Sequence, residues 1–293
     1  MAKKVGPTDI SVLLYGETGT GKEIIAKIIH EHSPRKKQEI VCVNCAALPV
    51  ELADTELYGN LSGAFTGAHE ARLGLVGHAN GSTLFLDELS EMPLGLQSKL
   101  LRFMQDRRVR RVGAVVEKRI NTRIIAAVNS DPLDCIAEKR LRPDLYYRFA
   151  ITISIAPLRD RKDDILPMAK AYLDFYCAQL SRPAPVFAQE VEKTMLAYHW
   201  PGNVRQLCNE MQRCAVFCNG KVNLSDLNLQ ALKPSTNGEQ AAPLTPPHNE
   251  CAIPATEHAP SPASVPRAPR DAEQSAAPPA SRSVGFQPGE FLD

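Results

Sequence analysis

The stretch from Val12 to Lys27, Val-Leu-Leu-Tyr-Gly-Glu-Thr-Gly-Thr-Gly-Lys-Glu-Ile-Ile-Ala-Lys, constrains what this chain can fold into more than any other. Its apolar run Val12 to Tyr15 reads as a buried strand, and Ile24, Ile25, Ile28 and Ile29 recur at helical spacing until Ser33-Pro34 stops the helix. Between them lie Gly16, Glu17, Thr18, Gly19, Thr20, Gly21 and Lys22. Small residues here let successive backbone N–H groups turn inward on phosphate oxygens at the positive end of the following helix, and Lys22 reaches the β- and γ-phosphates of a triphosphate. Glu23 stands where most phosphate loops place a Ser or Thr hydroxyl for magnesium, so metal binding leans on other oxygens. Strand, phosphate loop and helix in this order predict an α/β domain with a mostly parallel sheet.

Those other oxygens are at hand. Gly81 to Glu88 reads as a buried strand that delivers Asp87 and Glu88 at its carboxyl end, where open α/β sheets bind ligands. Asp87 is placed to hold Mg2+ through its water shell, and Glu88 to polarise an attacking water. A further buried strand, Arg123 to Asn129, ends in a polar group set to position that water near the γ-phosphate. Ile40 to Val43 reads as another strand running out at Asn44, Leu48 to Tyr58 as an acidic helix, and Pro93 to Asp106 as an amphipathic helix. Arg107, Arg108, Arg110 and Arg111 then form a basic extended piece, either a solvated strand edge or a contact for phosphate or DNA.

Two features point to partners. Arg142 and Arg148 precede the apolar strand Ile151 to Ile155. Read alone they are surface arginines; beside a phosphate loop they fit the nucleotide of a neighbouring copy, where a guanidinium stabilises charge on the transferring phosphoryl group. Gly59 to Ala68 is a Gly-rich surface loop holding one aromatic, Phe65, in its middle, which is a contact surface in search of a partner.

From Asp163 onward the period is helical. Ile165 to Leu180 and Gln189 to Tyr198 read as helices, and Trp200-Pro201-Gly202-Asn203 as a turn whose Asn203 caps a third, Val204 to Phe217. The expected organisation is an α/β nucleotide-binding part at 5–160 and a small all-helical lid at 161–232, with Arg205 able to swing onto the nucleotide. Residues 233–293 are rich in Pro, Ala and Ser, carry no apolar period and are expected to be a disordered tail.

A formal charge of +1 gives no global attraction to nucleic acid or membrane. No apolar run approaches the roughly 18 residues of a membrane span, and the start lacks a signal-peptide core, so a cytoplasmic protein is expected. Of the eight cysteines, Cys42 and Cys45 have CxxC spacing but no second pair completes a zinc site, while Cys208, Cys214 and Cys218 fall on one helix; all read as small buried thiols.

With these residues laid out, the chain resembles the central ATPase domain of the bacterial sigma-54-dependent transcription activators, the enhancer-binding branch of the AAA+ superfamily. The most specific element is Gly63-Ala64-Phe65-Thr66-Gly67-Ala68, the GAFTGA loop of that family, which contacts the sigma-54 factor. Val-Asn-Cys-Ala-Ala-Leu at 43–48, Asp-Leu-Tyr-Tyr-Arg at 144–148 and Trp-Pro-Gly-Asn-Val-Arg at 200–205 support it, and Glu23 is that family's usual residue after the loop lysine. The resemblance implies an Mg2+-dependent ATPase, hexameric or in a mixed ring with a related activator, that remodels sigma-54 RNA polymerase to open promoters. It further implies Asn44 as the partner restraining Glu88, Arg142 and Arg148 as fingers in trans, and Arg205 as a second sensor. Three departures stand out: the family's helix upstream of Val5 has no counterpart, Val128 replaces a Thr, and no helix-turn-helix follows Lys233, so promoter DNA contact has no evident reader. The alternative is a binding subunit without productive turnover that joins another activator's ring or captures sigma-54.

Overall fold

The structure, a computed structural model, describes residues 1–64 and 70–229. Phe65, Thr66, Gly67 and Ala68 and the expected tail at 233–293 lie outside the described residues.

The chain opens with a short helix, α1 (Ala2–Val5), where no helix was expected, and then enters β1 (Val12–Tyr15) and α2 (Lys22–Glu31). β2 (Val41–Asn44) follows, then α3, which covers only Ala53–Tyr58. The expected helix start at Leu48 fails because Pro49 and the preceding 3-10 turn Cys45–Ala47 occupy the backbone there. α4 (Leu75–His78) leads to β3 (Thr83–Asp87), and α5 (Leu94–Asp106) to a hairpin of β4 (Arg108–Val109) and β5 (Lys118–Arg119). β6 (Arg123–Val128), α6 (Pro132–Ala137), α7 (Pro143–Tyr146) and β7 (Ile151–Ser154) complete the α/β part.

Five strands pair in the order β2-β3-β6-β1-β7, every pair parallel. The apolar runs of β1 and β6 are continuous because both faces of these central strands are covered. Alternate residues serve opposite cores: Leu13, Leu84, Leu86, Ile124, Ala126 and Val128 pack with α5 on one face, while Val12, Leu14, Phe85, Ile125 and Ala127 pack with Ala26 and Ile29 of α2 on the other. Parallel strands share their ends, so Asp87 and Asn129 emerge side by side at the carboxyl edge.

Arg123, the first residue of β6, is fully buried, and among the described residues no carboxylate pairs with it. Its guanidinium donates to the carbonyls of Val5 at 3.0 Å, Gly6 at 2.8 Å and Ile10 at 3.3 Å, and so ties the amino-terminal segment to the sheet.

The lid has its own core. Leu158 joins Ile165, Ala169, Leu173, Val191, Met195, Trp200, Leu207 and Met211 across α8 (Lys162–Gln179), α9 (Gln189–Ala197) and α10 (Asn203–Phe217). It is not all helical, since β8 (Val186–Phe187) pairs in parallel with β9 (Lys221–Val222). Two-residue strands are too short to give a period, and helical spacing on both sides hides them. Cys42 is also a correction: on the edge strand β2 it is exposed, whereas Cys45, Cys208, Cys214 and Cys218 are buried. Among the described residues no helix is long and apolar enough to cross a membrane, and no cluster of metal-ligating side chains occurs.

Candidate nucleotide site

The loop between β1 and α2 has the backbone its glycines predict. Gly16, Gly19 and Gly21 all have positive φ, at 152°, 80° and 98°. A Cβ on Gly16 would lie 2.5 Å from the Ile155 carbonyl oxygen, and one on Gly19 2.4 Å from that of Gly202, so these two press the loop against the sheet and the lid. Gly21, at the amino end of α2, meets nothing closer than 4.0 Å, which leaves the helix terminus open to an anion.

Lys22 is the centre of the site. Only 6% exposed, its ammonium donates to the carbonyls of Gly16 at 2.7 Å and Glu17 at 3.1 Å and to Asn129 Oδ1 at 2.7 Å. With its oxygen so engaged, Asn129 turns its amide nitrogen to Glu88 and donates to Oε1 at 3.0 Å. One unbroken chain of hydrogen bonds therefore runs from the loop lysine through Asn129 to the acid. Burial pulls the Lys22 pKa below the ordinary lysine value, opposed by the charges of Asp87 and Glu88. Burial also pushes the Asp87 carboxyl above the ordinary range, although the Glu88 N–H donates to its Oδ1 at 2.9 Å. Glu88 itself is held at φ 54°, a left-handed conformation that is strained for a non-glycine residue and aims its side chain across to Asn129. An incompletely compensated carboxylate beside a cation and an open helix terminus is a donor set suited to Mg2+ and a phosphate chain.

Asn44 sits opposite Asp87 in the β2–β3 register, but its Oδ1 accepts from the Ala46 N–H at 2.9 Å. Among the described residues the contact expected from Asn44 to Glu88 is made by Asn129 instead. Glu23 is exposed and paired with Lys27 one turn on, at 2.8 Å. Thr20 is buried and closes the loop on itself by donating to the Glu17 carbonyl at 2.8 Å, whereas Thr18 is exposed.

The largest departure is Asn203. Expected as a helix cap, it instead sits fully buried at φ 51° and reaches out of its own helix. Its Oδ1 accepts from the Leu158 N–H at 2.8 Å, which fixes the amide orientation, and its Nδ2 donates to the Thr18 carbonyl at 3.0 Å and to Glu17 Oε2 at 3.1 Å. Glu17, read as a loop residue facing phosphate, is clamped by Arg159 and by this amide, and the Arg159 hydrogen bonds hold its carboxyl below the usual range. Arg161 adds a bond to the Thr20 carbonyl at 3.0 Å. Arg205 stays exposed, with its backbone N–H donating to the Gly19 carbonyl at 3.2 Å. Arg159 and Arg161 carry no motif of their own; an acid inside the loop, Glu17, was the signal that a cation had to come from elsewhere.

Arg142 and Arg148 lie at the two ends of α7, outside this constellation. Arg142 is bound in two-point fashion to Asp144, at 3.0 and 2.7 Å, and the Arg148 guanidinium donates to the Met104 carbonyl at 3.4 Å. Gly63, at φ 76°, and Ala64 begin the Phe65 loop; its base is held to the β4–β5 hairpin by the Leu61 N–H on the Val112 carbonyl at 3.0 Å.

Comparison with known proteins agrees with this geometry. Residues 1–155 match the family model of the Sigma-54 interaction domain, and residues 159–243 that of an AAA+ ATPase lid domain. The alginate biosynthesis transcriptional regulatory protein AlgB of Pseudomonas putida is 43% identical over 84% of this chain and 53% of its own length. The Sigma54-dependent transcriptional activator SfnR of Pseudomonas putida is 41% identical over 82% of this chain and 66% of its own. The crystal structure of NtrX from Brucella abortus in complex with ATP superposes with a TM-score of 0.71 at 29% identity, covering 77% of this chain and 53% of that one. The chain thus spans about half the length of the first of these relatives. Since the Sigma-54 interaction domain model matches more than half of the chain and the lid model follows it directly, the chain belongs to the sigma-54 interaction domain family of transcriptional activators.

Proposed function

We propose that this chain is the ATP-hydrolysing motor of a cytoplasmic transcriptional activator, which drives the Phe65 loop against the sigma-54 factor of RNA polymerase and so opens promoters. The observation that carries the reading is the hydrogen-bonded chain Lys22–Asn129–Glu88. A terminal phosphate competing for the Lys22 ammonium frees Asn129, and Asn129 then releases Glu88 to act as base on a water. Bound Mg2+, held through Asp87, would supply charge neutralisation for the phosphate oxygens. The lid follows the same event, since Asn203, Arg159 and Arg161 all grip the phosphate loop.

Arg142 and Arg148 act on a neighbour's nucleotide in this reading, within a homo-oligomeric ring, hexameric by family, or a mixed ring. ATPase activity per chain should therefore rise steeply with protein concentration. Rates independent of dilution would remove the trans role. Thr66→Ala should leave hydrolysis within a few-fold of the parent and abolish nucleotide-dependent engagement of sigma-54; retention of both would refute the loop assignment.

A further inference from the structure

At the amino ends of the strands, away from the phosphate loop, the segments entering β1 and β6 and the β4–β5 hairpin line a solvent-open cleft of about 280 Å³. It is lined by Asp9, Arg107, Arg119, Ile120, Asn121 and Thr122. That is several times the roughly 30 Å³ share of a water molecule, enough for a polyatomic ion.

Its charges do not balance. Asp9 is the one acid in the lining, and Arg35 takes both its oxygens, at 2.7 and 2.6 Å. Arg107 spends one nitrogen, Nη1, on the Thr122 carbonyl at 2.6 Å, and among the described residues neither it nor Arg119 meets a carboxylate. Asn121 accepts from Arg35 through Oδ1 at 2.6 Å, so its amide N–H groups remain as donors. Arg123 nearby is committed to three carbonyls that carry no charge.

The backbone adds a second, independent sign. Arg107 has φ 56°, in the left-handed region that glycine enters freely and a long side chain does not. Immediately after α5, with its Asp106, a glycine would end the helix without strain; an arginine there places a cation in the cleft wall at a cost. Burial, together with the charges of Arg148 and Arg35, draws the Arg107 pKa below the ordinary guanidinium value, against the pull of Asp9. Strain, like charge and unused donors meet in this one open cleft, and one bound dianion relieves the last two.

We propose that this cleft binds a phosphoryl group, with Arg107 and Arg119 as its principal ligands. Inorganic pyrophosphate and the phosphate tail of a nucleotide share that chemistry. The proposal does not depend on the ATPase reading, because its residues are not those of the loop.

The test uses the full chain carrying Lys22→Ala, which weakens the phosphate loop, and titrates inorganic pyrophosphate calorimetrically at low ionic strength. The expected result is saturable binding that Arg107→Gly weakens about 10- to 100-fold, the range of a charged hydrogen-bonded contact. Glycine relieves the backbone at this position while the Thr122 carbonyl loses its donor, so both chains are titrated at a temperature where their unfolding curves show them folded, and the loss then does not reflect misfolding. Arg107→Lys, which keeps the charge and loses the fork, should fall between them. A second arm with ADP separates the sources: Arg107-dependent binding of ADP assigns the site to nucleotide tails, and its absence beside Arg107-dependent pyrophosphate binding assigns it to free phosphates. No binding in the Lys22→Ala chain, or binding untouched by Arg107→Gly, overturns the proposal.

Discussion

Replacing Asn203 by Ala is the sharpest test of how lid and phosphate loop are joined. Asn203 is fully buried, and its amide closes three hydrogen bonds across two parts of the chain, at 2.8 Å to the Leu158 N–H, 3.0 Å to the Thr18 carbonyl and 3.1 Å to Glu17. Leaving the buried Leu158 amide without an acceptor costs about 1–3 kcal/mol, and the bond to Thr18 is worth about 1 kcal/mol. The Glu17 bond is discounted to roughly 0.5 kcal/mol, because that side chain is 42% exposed and keeps Arg159. Alanine at φ 51° adds about 1 kcal/mol that asparagine largely avoids. The sum is about 4 kcal/mol, and Asn203→Gly, free of the last contribution, should lose about 3 kcal/mol. Urea unfolding can be followed at Trp200, which is the only tryptophan and lies buried in the lid core. A loss below about 1 kcal/mol for Asn203→Ala would show that the three contacts do not hold lid to loop.

Two further predictions follow from buried charges. Arg123→Met should destabilise by about 2–4 kcal/mol, because the carbonyls of Val5, Gly6 and Ile10 lose their donor, and amide exchange of residues 1–10 should speed up more than that of β6. Uniform loss of protection would show that Arg123 does not act as a local tether. Asp87 has a folded pKa above its unfolded one, so the folded chain binds the proton more tightly and stability falls as pH rises from the ordinary carboxylate range through the folded pKa. Nucleotide-free Asp87→Asn should therefore melt above the parent at pH 7, and the gain should shrink on acidification. A parent more stable than the variant at pH 7 would contradict the sign.

Much of the site was legible in the residue order because its signals are local. The glycines and Lys22 announce the loop, and a buried strand ending in Asp87-Glu88 needs no partner to be seen. Asn129 could be read as a polar group at the end of a buried strand, but that it bridges Lys22 to Glu88 depends on β3 and β6 being neighbours, which no local pattern states. Asn44 is a related case: it lies opposite Asp87, and in this structure the 3-10 turn that follows engages its side chain, which no local pattern states. Asn203 matched the helix-cap preference, which takes only its own helix into account, while tertiary contacts to Leu158 and the loop outweigh a cap. Arg123 and Arg107 gave no sequence signal beyond charge. One became visible through burial, the other through a backbone conformation that its residue type disfavours.

The central claim is that Glu88, restrained by Asn129 and thereby by Lys22, activates water once a terminal phosphate is bound. Steady-state ATP hydrolysis of Glu88→Gln, measured beside its affinity for ATP, addresses this directly. The amide keeps the shape and a hydrogen-bonding oxygen but cannot accept a proton, so kcat should fall by about 100-fold or more while ATP affinity stays within a few-fold of the parent. Hydrolysis at the parent rate in Glu88→Gln would contradict the account.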